Sequence, residues 1–165
     1  MISLTYRPLE HADLPALTDI VSDWQVVRQL GSWPWPHDAE FTSSRCMPHE
    51  GEGFVWGIIH AGRLVGTIGV TDGRMGYSLR RDHWGRGIMT RAAQDAVCHA
   101  FADPSLQVIH ADFWADNTGS SRILVKLGFM TVSTEVRHAK ARNEPTPLHL
   151  TRLTRDRWQS LSNPR

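Results

Sequence analysis

The stretch Leu79-Arg80-Arg81-Asp82-His83-Trp84-Gly85-Arg86-Gly87-Ile88 ends an alternating segment and opens the longest helical pattern in the chain. Two glycines one residue apart turn the backbone just before the helix. The first turn of a helix has N–H groups without internal partners, and the aligned peptide dipoles make that end positive. Glycine lets an anion come close to the main chain. Gly85 to Thr90 therefore reads as a cradle for a pyrophosphate, with a charge from Arg86 and a hydroxyl from Thr90. A tight strand-to-helix turn without a ligand is the other reading of the same residues. The phosphate-loop pattern G-x-x-x-x-G-K-[ST] is absent. The dinucleotide pattern G-x-G-x-x-G/A fails at its third position, Thr90. That pattern also belongs in a parallel βαβ unit, whereas the strands before Gly85 read as antiparallel hairpins.

A second segment, Asp116-Asn117-Thr118-Gly119-Ser120-Ser121-Arg122 through Lys126-Leu127-Gly128-Phe129, opens another helix just past a strand. Asn117 and Ser120 place short hydrogen-bonding groups near its start. For Ser120 the alternatives are chemistry and helix capping.

The elements that must carry these segments follow from patterning. Leu4 to Leu9 alternates and reads as a first strand stopped by Pro8. Asp13 stands where a helix N-cap belongs, with Pro15 in the first turn and Leu14, Leu17, Ile20, Val21 and Trp24 at helical spacing. A short helix is expected over residues 25–30. Gly31 to Pro36 breaks it, and a further helix spans 38–47. Phe54–Ile59 and Leu64–Val70 form a hairpin whose turn uses Gly62. Met75–Leu79 is a fourth strand. Residues 88–101 form the clearest helix, with Ile88, Ala92, Ala96 and Ala100 in one row and Met89, Ala93, Val97 and Phe101 in the next. A fifth strand over 108–114, a helix over 120–127 ending at Gly128, and two strands near 132–139 and 146–153 complete the chain. The expectation is a mixed α/β fold around one sheet, with residues 1–165 as a single domain.

Composition narrows the function. The 165 residues carry a net charge of +1, unlike a chain built to coat nucleic acid. Arg137 to Arg157 is locally basic, but it lacks interleaved aromatics and reads as a solvated hairpin. No apolar run could span a membrane, and the N-terminal residues show no signal pattern. Two cysteines and nine histidines show no metal-ligand spacing, so no metal is expected. A cytoplasmic protein with free thiols is the default, and Cys98 is expected to be a buried, inert thiol. Seven tryptophans stand against two tyrosines, which points to a lined cleft or a large core.

Taken together, the two helix-opening segments resemble the GNAT N-acetyltransferase superfamily, and within it the group of ribosomal-protein alanine N-acetyltransferases. Gly76-Tyr77-Ser78-Leu79 through Trp84-Gly85-Arg86-Gly87-Ile88-Met89-Thr90-Arg91-Ala92 is similar to the family's acetyl-CoA loop and helix. Asn117-x-x-Ser120 through Gly128-Phe129 is similar to its second signature. Trp33-Pro34-Trp35-Pro36 resembles its loop over the acceptor site. The element order matches over nearly the whole chain.

The resemblance implies a mostly antiparallel sheet splayed between strands four and five, with helices on both faces and acetyl-CoA in the V. It implies that N–H groups of Arg86, Gly87, Ile88, Met89 and Thr90 hold the pyrophosphate, and that Leu79 and Arg81 pair with the pantetheine arm. Leu79 N–H would also polarise the thioester carbonyl. Asn117 would bind near the sulfur, and Ser120 would protonate the leaving thiolate. Trp33 and Trp35 would wall the acceptor, or plug the helix pair. Tyr77 would bind the acceptor, donate to the thiolate, or pack in the core.

Three positions depart from the family: Asp82 replaces a Gln or Arg, the helix after Asn117 offers Ile123, Leu124 and Val125 where a tyrosine is usual, and Ala139 stands where some members have a glutamate. Candidate bases are Glu50, Glu52, Glu135 and His138.

The implied function is acetyl-CoA-dependent transfer of an acetyl group directly to a primary amine, on a protein N-terminus or a small molecule, by a monomer or homodimer. A non-catalytic acyl-CoA-binding module and a dinucleotide-binding protein are the alternatives.

Overall fold

The computed structural model describes residues 2–162, so Met1 and residues 163–165 of the expected domain lie outside the described residues. Seven strands form one sheet in the order β1-β2-β3-β4-β5-β7-β6. They are β1 (Thr5–Arg7), β2 (Gly53–His60), β3 (Arg63–Thr71), β4 (Arg74–Leu79), β5 (Val108–Trp114), β6 (Met130–Ala139) and β7 (Glu144–Thr154). The β2–β3 turn is Ala61-Gly62, both at positive φ (50° and 75°). Such a two-residue turn follows the strand twist, and Gly62 takes its conformation without the Cβ penalty.

All neighbours in the sheet run antiparallel except β4 and β5, which run parallel. Those two strands are bridged at one register position, Arg74↔His110, where His110 N–H donates to the Gly73 carbonyl at 2.8 Å. Beyond it they part. The sheet is thus splayed as the resemblance implies.

The helices divide between the faces. Helices α1 (Leu14–Val21), α2 (Trp24–Val27) and α3 (Ala39–Arg45) lie on one side. There Leu17, Ile20, Val21 and Val26 bury with Leu9, Cys46 and Leu64. Helices α4 (Ile88–Ala100) and α5 (Thr118–Leu127) cover the other side, over Ile58, Ile68, Val70 and Ile109. Both expected apolar rows of α4 are buried. Its alanines, three of them with no exposed surface, let the helix approach the strands closely.

Asp13 stands at the N-cap of α1, with Pro15 in the first turn as expected, but its side chain makes no cap bond to α1. Its carboxylate is buried and accepts from both outer nitrogens of Arg7 at 2.7 Å and from Glu10 N–H at 2.8 Å. Three expectations need correction. The first helix stops at Val21, and Trp24 opens α2 instead, capped by Asp23. The two last strands are followed by α6 (Arg155–Ser162), which buries no residue and so has no apolar period to read. Cys98 is exposed, because it falls beside the buried rows of α4 and not within them.

The basic C-terminal segment is tied down more than a solvated hairpin would be. Arg155 donates to the carbonyls of Phe101 and Leu106, and Arg157 to that of Gly128.

Candidate active site

A cleft of about 1100 Å³ occupies the opening between β4 and β5. It is lined by consecutive residues of both strands, Met75 to Leu79 and Ala111 to Phe113. Successive side chains of a strand point to opposite faces, so a cleft touching all of them passes through the sheet. On the α4–α5 side it reaches Trp84, Gly85, Gly87 to Thr90, and Asn117 to Ser120. On the α1–α3 side it reaches Leu30 to Trp33 and Met47 to Glu50.

The start of α4 is built for an anion. Gly85 and Gly87 have φ of 72° and 76°, a region that other residues enter at a cost. Gly87 is the N-cap, so no side chain occupies the first N–H groups, and no acidic residue lies in the first turn. The β-carbon of a larger residue would meet nothing within 4 Å at Gly85. Backbone conformation and open space, not crowding, account for the glycine there. This arrangement fits a pyrophosphate.

At the end of β4, Arg80 N–H donates to Val65 O on β3 at 2.8 Å. Strand alternation turns the Leu79 N–H and C=O the other way, into the gap. The Leu79 carbonyl accepts from the Trp84 indole N–H at 2.9 Å.

At the start of α5 the Asn117 side chain accepts from Ser120 N–H at 3.0 Å. Asn117 is therefore the cap, and capping does not explain the Ser120 hydroxyl. That hydroxyl is buried and accepts from the Tyr77 hydroxyl at 3.0 Å. Burial pushes the Tyr77 phenol up to about 12, so it stays protonated at neutral pH. With its oxygen receiving the phenol proton, Ser120 keeps its own proton free to donate.

The remaining sequence candidates divide. Leu79, Gly87, Ile88, Met89, Thr90, Asn117, Ser120, Tyr77 and Trp33 all line the one cleft. Arg81 does not. It lies in a 3-10 turn, Arg81–His83, beside a small hollow formed with Asp19, Asp23 and Asp82. The turn takes it out of line with β4. The Arg86 side chain is exposed and outside the lining. Trp33 packs edge-on to Phe41 at 5.3 Å and faces the cleft. Trp35 leans on Trp24 at 5.2 Å, 41% exposed and outside the lining. Of the four candidate bases only Glu50 lines the cleft. Ala139 is buried against Trp114 and Leu148, so that position offers no base.

Sequence reasoning missed a clamp beside the site. Arg142, in the β6–β7 turn, donates to both carboxylate oxygens of Asp116 at 2.8 and 2.9 Å, to the Arg28 carbonyl at 2.9 Å and to the Gln29 side chain at 2.9 Å. It also stacks over Trp114. Asp116 immediately precedes Asn117, and Gln29 precedes the Trp33 loop, so one guanidinium joins the start of α5 to the segment that carries Trp33. The charged side chain pulls the Asp116 carboxyl below its usual range. Partners more than a hundred residues apart leave no local signal.

A family model described as an acetyltransferase (GNAT) domain matches residues 3–130. The chain belongs to the GNAT acetyltransferase family, and it is an N-acetyltransferase that uses acetyl-CoA as co-substrate. It is 29% identical over 139 residues to an uncharacterized N-acetyltransferase, p20, of Bacillus licheniformis, covering 76% of this chain and 78% of that one. Its fold is similar to that of AAC(6')-Ib in complex with ribostamycin and coenzyme A, at a TM-score of 0.80, 17% identity and 99% of each chain. It is also similar in fold to the ribosomal-protein-S5-alanine acetyltransferase from Vibrio fischeri, at a TM-score of 0.71, 18% identity and 94% of each chain.

Family membership sets aside the non-catalytic and dinucleotide-binding alternatives. The strands before Gly85 are antiparallel as expected, but β4, α4 and β5 form a parallel crossover unit. Among the described residues no helix is long and apolar enough to cross a membrane, and no group of three or more His, Cys, Asp or Glu could hold a metal ion.

Proposed function

We propose that acetyl transfer takes place in the middle of the cleft, between Leu79 and the Tyr77–Ser120 pair. The observation that carries this reading is the Tyr77-to-Ser120 hydrogen bond at 3.0 Å, set between the anion cradle of α4 and the Trp33 end. Backbone N–H groups from Arg86 to Thr90 hold the pyrophosphate. Leu79 N–H steadies the oxyanion that develops on the thioester carbonyl. Asn117 fixes the start of α5 and so the Ser120 hydroxyl.

The acceptor enters from the Trp33 side as a primary amine. It loses one proton to solvent before attack. Its nitrogen then bonds the carbonyl carbon as the carbon–sulfur bond breaks. Ser120 gives its proton to the departing sulfur and takes one from Tyr77, and the second amine proton returns through solvent to Tyr77. No protein nucleophile is needed, consistent with Cys98 lying outside the cleft.

The acceptor is a small-molecule amine or a protein N-terminus. The protein acts as a monomer or a homodimer. Both cysteines are free thiols, which suits a cytoplasmic setting.

Thiol release in acetyl-CoA with an amine panel tests the assignment. Ser120→Ala should lower turnover while acetyl-CoA still binds by calorimetry. Unchanged turnover in that variant would remove Ser120 and Tyr77 from the chemistry.

A further inference from the structure

The acceptor end of the cleft has a charge pattern that selects among amines. Three carboxylates line the cleft: Glu50, Asp112 and Asp116. Asp112 is held by Arg74 at 2.9 Å, with Arg137 at 4.0 Å. Asp116 is held by Arg28 at 3.1 Å and by Arg142 at 2.8 Å. Each of those two carboxylates already faces two guanidinium groups, so neither offers an uncompensated negative charge to a ligand. Glu50, exposed on the loop after α3, is the third.

Arg45 lines the same end, its guanidinium 5.0 Å over the Phe41 ring, and adds a positive charge that further disfavours a polycation. Beside it part of the wall is apolar. Leu30, Trp33 and Val55 are half-buried along it, and Met47 stands 56% exposed. A polyamine or an aminoglycoside carries several ammonium groups. Each would have to give up water, and all but one would lack a free carboxylate to replace it. A single ammonium beside an apolar body has no such cost. Its charge has Glu50, and its body has Trp33 and Met47.

Resting on the transfer reading given above, we infer that the acceptor is a monocationic primary amine attached to an apolar or aromatic group, recognised by Glu50 and the Trp33–Met47 wall. Two sources share that chemistry, a free aralkylamine and a protein N-terminus that begins with an apolar residue.

The test is thiol release at fixed ionic strength with 2-phenylethylamine, with short peptides beginning Met or Phe, with spermidine and with an aminoglycoside. The expected result is a higher kcat/KM for 2-phenylethylamine or the peptides than for either polycation. Faster turnover of the peptides than of the free amine assigns the N-terminal source, and the reverse order assigns the small molecule. Glu50→Gln should raise the KM of the preferred monoamine about two- to five-fold, the size of an exposed ion pair. Trp33→Ala should raise it about ten-fold, as loss of a buried apolar contact does. Met47→Ala, at an exposed position, should raise it in the same direction and serves if Trp33→Ala fails to fold. Acetyl-CoA affinity should not move in any of them. Preference for spermidine or the aminoglycoside would overturn the inference and leave acetyl transfer standing. Acetyl-CoA binding without thiol release in the presence of any amine would overturn both.

Discussion

The Tyr77 hydroxyl donates to Ser120 Oγ at 3.0 Å, tying the side chain of a strand to the first turn of the helix across the gap. Ser120→Ala should lower kcat by about 10²–10⁴-fold, the usual range for a general acid, and leave acetyl-CoA affinity nearly unchanged. Tyr77→Phe keeps the ring and removes the donor, so its kcat should fall less. Melting separates this from capping. Asn117→Ala should cost roughly 1 kcal/mol of stability, whereas Ser120→Ala should cost little. A large stability loss in Ser120→Ala with normal kcat would contradict the assignment.

Gly87→Glu should abolish acetyl-CoA binding in calorimetry while the chain stays folded. At Gly87 φ is 76°, and an added β-carbon would meet only the end of the Ile2 side chain at 3.4 Å. The fold therefore bears roughly 1–2 kcal/mol of backbone strain. The cradle takes the added negative charge at the positive end of α4. Binding at the original affinity would place the cofactor elsewhere.

Arg142→Ala should lower stability by about 2–4 kcal/mol, since it removes a bidentate partner from Asp116 and leaves the Arg28 carbonyl and Gln29 without theirs. Arg142→Lys replaces a fork by a point charge and should recover only part of this. In Arg142→Lys the acceptor KM should rise more than the acetyl-CoA Kd, because Gln29 leads into the Trp33 loop. Equal changes in both would mean that the clamp is a stability element alone.

Asp13 gives a pH dependence with a definite sign. The Arg7 guanidinium holds its carboxyl below the ordinary value of 3.8. A carboxyl depressed on folding adds stability that is present above its unfolded value and lost as pH falls through the folded one. Asp13→Asn should therefore destabilise the protein at neutral pH. Its deficit relative to the parent should shrink only as the pH drops below about 3.8. Urea melts of both proteins at neutral and acid pH check this; a deficit that is constant with pH would exclude the ion pair as its source.

What could be read in the sequence was what neighbours in sequence decide. The two apolar rows of α4 repeat every four residues, and the Ala61-Gly62 turn sits between two alternating runs. Both appear in the fold as expected. The Asn117 to Gly128 helix carries its own start and stop signals, and only the identity of the capping side chain shifted from the alternative weighed for Ser120. Those same local segments supply most of the residues that line the cleft. What was not legible depends on partners that the fold brings together. Asp13 is the N-cap residue the pattern marks, but its ion pair with Arg7 comes from the fold and not from the helix start. Arg81 looks like the end of a strand until a 3-10 turn carries it away. Trp33 and Trp35 read alike in sequence, and only packing on Phe41 or on Trp24 tells them apart. Arg142 joins residues 114 positions distant, which no local pattern encodes.

The single bridge between β4 and β5 leaves the molecule with two sheet edges in its interior. An outer edge invites pairing with any strand that arrives. Here the gap opens into the cleft beside α4 and α5, where a single extended chain can lie along β4. Such a chain, with amides of its own, would complete the sheet as an eighth strand. The two blocks flanking the gap, β1–β4 and β5–β7, are each held by antiparallel pairings of their own. Backbone amides facing the gap, Leu79 foremost, stay hydrated until it arrives. Their hydrogen exchange with solvent would then slow selectively, making the edge of β4 a reporter of occupancy that is independent of turnover.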